Sequence, residues 1–232
     1  MTEAVNWKNG AVGHTFVASF SGGKDSTLAL YKAMQVGQAI GLIVMLEEEG
    51  KRSRSHGMPP AIIQAQAEAI GLPVYTAATS WEDYETQFMR LLAHAKEQGA
   101  EVLVSGDIDV PAHGCWHDRV TQNAGLGLGM PLWEMNHREV VEQFIDLGFV
   151  TIVVTVNLEK GMTEADLGRI LTHEYVHELE ERGIDPCGES GEFHTTVIDG
   201  PIFKHSIPVR KCEIVRDGGY AFLPLELDTS NS

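Results

Sequence analysis

Residues 19–26 read Ser-Phe-Ser-Gly-Gly-Lys-Asp-Ser. They fall where a short β-type run (HTFVASFS, from His14) gives way to a helical pattern, with Leu28, Tyr31 and Lys32 at helical spacing. Unpaired backbone N–H groups and the positive end of the helix dipole meet at such a junction, so an anion is stabilised there before any side chain contributes. Gly22 and Gly23 remove Cβ atoms and let the backbone wrap a phosphate. Lys24 adds positive charge and Ser21 and Ser26 add hydroxyl donors, while Asp25 is placed to hold Mg²⁺ or its waters. The run is not a Walker A loop, because Ala18 stands at the first glycine position and Asp25 follows the lysine. The plain alternative, a Gly-Gly turn with a polar cap, needs only one of these residues.

Other residues invite chemistry with less specificity. Gly106 and Asp107 follow a strand pattern (EVLVSGD), at the carboxyl edge where α/β sheets bind ligands; the competing role for Asp107 is a helix cap. Trp116, His117 and Arg119 follow Pro-Ala-His-Gly, read as a turn. Arg119 has the fork geometry to clamp a phosphate or carboxylate, with a surface ion pair as the alternative. Glu189 and Glu192 flank Ser190-Gly191 and precede Phe193-His194-Thr195, so both acids are candidates to bind an amine, ammonium or a cationic group. His56 lies in a basic stretch with Arg52 and Arg54 and could meet a substrate carboxylate, with a mobile loop histidine as the favoured reading. His173-Glu174-Tyr175-Val176-His177 matches the HExxH zinc pattern. Glu180 stands where an extended zinc motif has glycine, a third ligand would have to be Glu189 or Glu192, and a solvated amphipathic helix is the favoured reading.

The elements that must position these residues alternate. Ala39 to Leu46 is a continuous apolar run, as in a parallel strand covered on both faces. Helical patterns over Ala61–Ile70 and Asp83–Gln98 alternate with LPVYTA and EVLVSGD. Beyond Pro131-Leu132-Trp133 come a helix near Arg138–Leu147, a strand FVTIVVTV, and a longer helix near Thr163–Arg182. A Gly- and Pro-rich tail follows, with strand-like pieces at Cys212–Val215 and Ala221–Leu225. The alternation predicts a doubly wound α/β domain with a soft boundary near residue 135.

Composition excludes several classes. The 232 residues are 43% hydrophobic and 22% charged, with mean hydropathy −0.10, and no apolar stretch reaches the roughly 18 residues of a membrane span. A net charge of −16 disfavours nucleic acid as a partner. Three dispersed cysteines, Cys115, Cys187 and Cys212, form no CxxC pair and fit reduced thiols in a cytoplasm. Residues 1–13 lack the pattern of a secretory signal and read as a loose extension.

SGGKDS at the end of the first strand closely resembles the PP-loop of the ATP pyrophosphatases. The tail CGESGEFHTTVIDGPIF (Cys187–Phe203), with SGDI (Ser105–Ile108), PLW (Pro131–Trp133) and LGR (Leu167–Arg169), looks like the diphthine-ammonia ligase branch, from about His14 to Phe203. The resemblance implies a HUP-type PP-loop nucleotide domain over 14–134 and a smaller C-terminal α/β substrate domain over 135–232. It implies ATP and Mg²⁺ as cofactors, and adenylation of a carboxylate followed by attack of ammonia, with AMP and pyrophosphate released. The acceptor is diphthine on elongation factor 2 or a related carboxylate, and a homodimer is the family expectation. Lys24 and Asp25 are then catalytic, with Asp25 holding the metal. Candidate ATP contacts are Ser19, Ser21, Gly22, Gly23, Lys24, Asp25, Ser26, Leu46, Gly106 and Asp107. Candidate substrate contacts are Arg119, Glu189, Ser190, Glu192, His194 and Thr195. Two other readings stand beside this one: a PP-loop enzyme acting on a small-molecule carboxylate, and a nucleotide-binding sensor without chemistry.

Overall fold

The computed structural model describes residues 7–54 and 56–230. Five strands, β1 (Thr15–Ser19), β2 (Gln38–Leu46), β3 (Val74–Ala78), β4 (Val102–Val104) and β5 (Gly127–Gly129), pair in the order β3-β2-β1-β4-β5. Every pairing is parallel. Successive side chains of a strand point to opposite faces, and here both sets are buried. Val17, Ile43, Met45 and Leu103 join Phe88, Leu92 and Ala95 of α3 (Tyr84–Glu97) and Val120 of α4 (Pro111–Ala124) in one core. Phe16, Ala18, Leu42, Val44 and Val104, on the opposite face, are each at most 1% exposed. That two-sided burial explains why β2 reads as a continuous apolar run.

The described residues form two compact units, the first drawn from 7–20, Asp25–Glu49 and Leu72–Met135 and the second from Ser21–Lys24, the described residues of 50–71, and 136–230. The first holds the parallel sheet, α3, α4 and most of α1 (Lys24–Met34). The second holds α2 (Pro60–Ile70), α5 (His137–Asp146), α6 (His173–Glu181) and an antiparallel sheet. In that sheet β6 (Val150–Asn157) lies between β7 (Phe193–Asp199) and β10 (Tyr220–Phe222), with β9 (Val215–Asp217) at the edge. A ribbon of β8 (Val209–Lys211) and β11 (Leu225–Leu227) completes it. Two stretches inside the expected nucleotide domain, Ser21–Lys24 and Gly50–Gly71, thus group with the second unit.

Three expectations are corrected. The long helix over Thr163–Arg182 is a 3-10 turn at Glu164–Asp166 and then α6. Between them Gly168 takes φ +79°, and the chain bridges to β6 at Ile152–Ile170. Pro111-Ala112-His113-Gly114 is the first turn of α4 rather than a preceding turn, since proline at the first helical position has no N–H to lose and a suitable φ. Residues 7–13, expected to be loose, form a 3-10 turn at Trp7–Asn9, whose Trp7 ring meets Trp133 edge-on at 5.0 Å, and they bury Ala11. The first six residues of that expected extension lie outside the described ones.

Candidate active site

Within the second unit the glycine-rich loop is bound to the tail motif. The backbone N–H of Lys24 donates to Thr195 Oγ1 on β7 at 3.1 Å, and the Val197 N–H donates to the Gly22 carbonyl at 2.9 Å. Lys24 is 4% exposed; its ammonium donates to the Cys187 carbonyl and lies 5.7 Å from the centre of the Phe193 ring. Cys187, Phe193 and Thr195 all belong to the CGESGEFHT run, so two motifs far apart in sequence occupy one place. His194 on the same strand stacks on His56 at 4.8 Å.

His56 is therefore not a mobile loop histidine. Its Nδ1 lies 2.8 Å from the Thr195 carbonyl. Burial, with Lys24 nearby, pushes its pKa down to about 4, so the ring is neutral at neutral pH. Gln66, which nothing in the sequence singled out, is fully buried and donates to the carbonyls of Gly22 and Val197 at 2.9 and 2.8 Å. Of the tail acids, Glu189 donates its backbone N–H to Asp185 Oδ2, and the Ser190 carbonyl accepts from Lys160. The Glu192 carbonyl accepts from the Asn157 N–H, while its Oε2 is buried with no hydrogen-bond partner among the described residues.

In the first unit, Ser19 closes β1, Leu46 closes β2 and is 8% exposed, and Asp25 and Ser26 stand in the first turn of α1. A Cβ on Gly106 would lie 2.8 Å from the Asp25 carbonyl carbon and the Ser26 nitrogen. Only glycine lets the β4–α4 connection approach α1 this closely. Asp107 does not cap α4, whose N-cap is Val110. Its carboxylate takes a hydrogen bond from Ser105 Oγ and lies 2.9 Å from both His113 Nδ1 and His117 Nε2. Burial raises Asp107, but hydrogen bonds from His113, His117 and Ser105 outweigh it and keep the group ionised far below the usual carboxylate range.

Arg119, expected as an anion clamp, forks onto both oxygens of Glu85 at 2.6 Å. That fork, with the Trp116 indole N–H, holds Glu85 down to about 2. The HExxH residues His173, Glu174 and His177 lie on the exposed side of α6. Tyr175, Val176 and Leu179 form the buried face of α6, whereas His173 is exposed beside Asp146 and His177 beside Glu181. Among the described residues no group of three or more His, Cys, Asp or Glu side chains is arranged to hold a metal.

A parallel sheet whose first strand delivers a glycine-rich loop into a helix N-terminus defines an α/β protein of the nucleotide-binding class. The family described as "Diphthamide synthase N-terminal domain" matches residues 14–128, and "Diphthamide synthase C-terminal domain" matches residues 136–227. The chain belongs to the diphthamide synthase family. It is 27% identical to a diphthine–ammonia ligase of Danio rerio, over 90% of this chain and 91% of that one. It is 26% identical to the diphthine–ammonia ligase of Mus musculus, over 90% and 87% respectively. A solved structure described as a predicted subunit of tRNA methyltransferase from Methanocaldococcus jannaschii covers 83% of this chain and 100% of its own, with TM-score 0.45 and 16% identity.

Proposed function

We propose that this chain is an ATP-dependent ligase that adenylates the carboxylate of diphthine and passes ammonia to it. A carboxylate oxygen attacks the α-phosphorus of ATP, the bond from that phosphorus to the bridging oxygen breaks, and pyrophosphate leaves. Ammonia then attacks the acyl carbon, AMP departs with the bonding electron pair, and the amide forms after loss of a proton. No covalent intermediate on the protein is needed.

The observation that carries this reading is the binding of Lys24 and Gly22 to β7, which joins the phosphate loop to the CGESGEFHT motif. The Gly23 N–H, the Lys24 ammonium and the hydroxyls of Ser21 and Ser26 are the groups suited to hold phosphate, while the Lys24 N–H ties the loop to Thr195. Their electrostatic effect grows as charge moves onto the leaving pyrophosphate. Mg²⁺ supplies charge neutralisation on the phosphates. It enters with the nucleotide and needs only one or two protein carboxylates, and Asp25, a hard oxygen donor in the first turn of α1, fits that requirement. Glu192, whose Oε2 is buried among groups that do not bond it, is the acid best suited to hold ammonium or a cationic part of the acceptor. No helix among the described residues is long and apolar enough to cross a membrane; a cytoplasmic site for the reaction is our reading, supported by its need for ATP and by Cys115, Cys187 and Cys212 standing outside any disulfide.

Substituting Lys24→Ala or Asp25→Ala should reduce AMP formation by about a hundredfold to a thousandfold, the scale of losing a transition-state electrostatic partner. A variant that keeps full turnover would refute the assignment.

A further inference from the structure

The phosphate loop is held from outside by two side chains of the 50–71 segment. Gln66 Nε2 supplies one hydrogen to the Gly22 carbonyl and the other to the Val197 carbonyl, while the Val197 N–H also donates to Gly22. In a trans peptide the carbonyl and the following N–H point opposite ways. Fixing the Gly22 carbonyl toward α2 and β7 therefore turns the Gly23 N–H to the other side, where Ser21 Oγ lies 3.4 Å away. His56 acts one residue further along. A carbonyl only accepts, so Nδ1 carries the hydrogen that binds the Thr195 carbonyl. The same ring lies so close to Gly23 that a Cβ there would collide with it. Thr195 in turn takes the Lys24 N–H.

The buried amide is not explained by packing. Gln66 is 0% exposed and its Oε1 meets no donor among the described residues. A methionine or leucine would fill similar volume without a buried unmet acceptor. The amide earns its place only through its two donors, and both end on the loop and the strand that carries it.

We infer that Gln66 and His56 are positioning residues for nucleotide binding, fixing the Gly22–Gly23 peptide plane so that the Gly23 N–H faces the phosphate side, and holding β7, whose Thr195 takes the Lys24 N–H, against the loop. The inference rests on the ATP-dependent reading above. The test is calorimetric titration of the full chain with MgATP, in which stoichiometry reports the folded fraction and Kd reports the site. Gln66→Met and His56→Phe preserve bulk but remove the donors, and each should weaken MgATP about tenfold or more, the effect of losing one aligned hydrogen bond to a binding loop. His56→Asn keeps a donor and should stay within about threefold of wild type. Wild-type Kd in both Gln66→Met and His56→Phe, with only the stoichiometry reduced, would overturn the positioning role and leave the ATP reading intact. Failure of the unmodified chain to bind MgATP would overturn both.

Discussion

Single residues in this chain titrate in directions that separate their roles. His56 is held neutral, its pKa lowered from 6.5 to about 4 chiefly by burial. Between those values the unfolded chain binds the proton and the folded chain does not, so stability falls as pH drops through that window. The loss attributable to His56 is about 2 kcal/mol between about pH 7 and about pH 5. Denaturant unfolding at both pH values should show that difference in the wild type and lose it in His56→Asn. Asp166 behaves in the other sense. Burial raises it, but hydrogen bonds from Arg182 and Thr163 prevail and bring it to about 2. Its contribution is complete above about pH 4 and disappears only as pH falls through about 2, so it does not obscure the histidine window. Lys24 and Asp25 stand out in the sequence as candidates because a glycine-rich loop at a strand–helix junction is a local device, with its glycines, charge and hydroxyls consecutive in the chain. His56 and Gln66 are not, because their partners, Thr195, Val197 and Gly22, lie 139, 131 and 44 residues away. A basic stretch before His56 and an alanine-rich helix around Gln66 carry no trace of those contacts.

At the scale of elements, the approach of the β4–α4 connection to α1 is a strict requirement. Gly106→Ala would press a methyl against the backbone of Asp25 and Ser26 at 2.8 Å, where neither side can yield without moving the first turn of α1. MgATP binding should fall by about tenfold or more. The N-cap of α5 provides the contrast. Asn136 accepts from the N–H groups of Arg138 and Glu139, and Asn136→Ala should cost about 1 kcal/mol of stability while leaving MgATP affinity unchanged. Binding and unfolding measured on both variants would separate the two effects; an equal affinity loss in Asn136→Ala would show that the contrast is wrong. The same scale shows why elements escaped the sequence. Helix α4 begins with a proline and has a glycine in its first turn, two residues that locally signal a turn, yet burial of Gly114, His117, Val120 and Thr121 along one face secures the helix. The 163–182 stretch has helical composition at both ends, but Gly168 and a bridge to β6 interrupt it. The strand β6 reads like a parallel strand because it is apolar throughout; it is buried from Thr151 to Asn157 as an inner strand of an antiparallel sheet.

For the whole molecule, the strand–helix alternation sufficed for the parallel sheet, since a continuous apolar strand between helices has few other places to go. The sharing of the loop between units was hidden. Ser21–Lys24 and Gly50–Gly71 join the C-terminal sheet's unit although the chain order puts them inside the expected nucleotide domain, and only long-range contacts reveal it. In an acidic chain of net charge −16, a nucleotide site must rely on oriented amides and a few placed cations rather than on a general positive field. The central claim, cleavage of ATP between its α and β phosphates to activate a carboxylate, is tested most directly by incubating the purified chain with α-labelled ATP, Mg²⁺, ammonium and elongation factor 2 carrying diphthine. Labelled AMP, formed only with the acceptor present and in step with pyrophosphate, is the expected result. Labelled ADP, or AMP that forms equally without any acceptor, would contradict it.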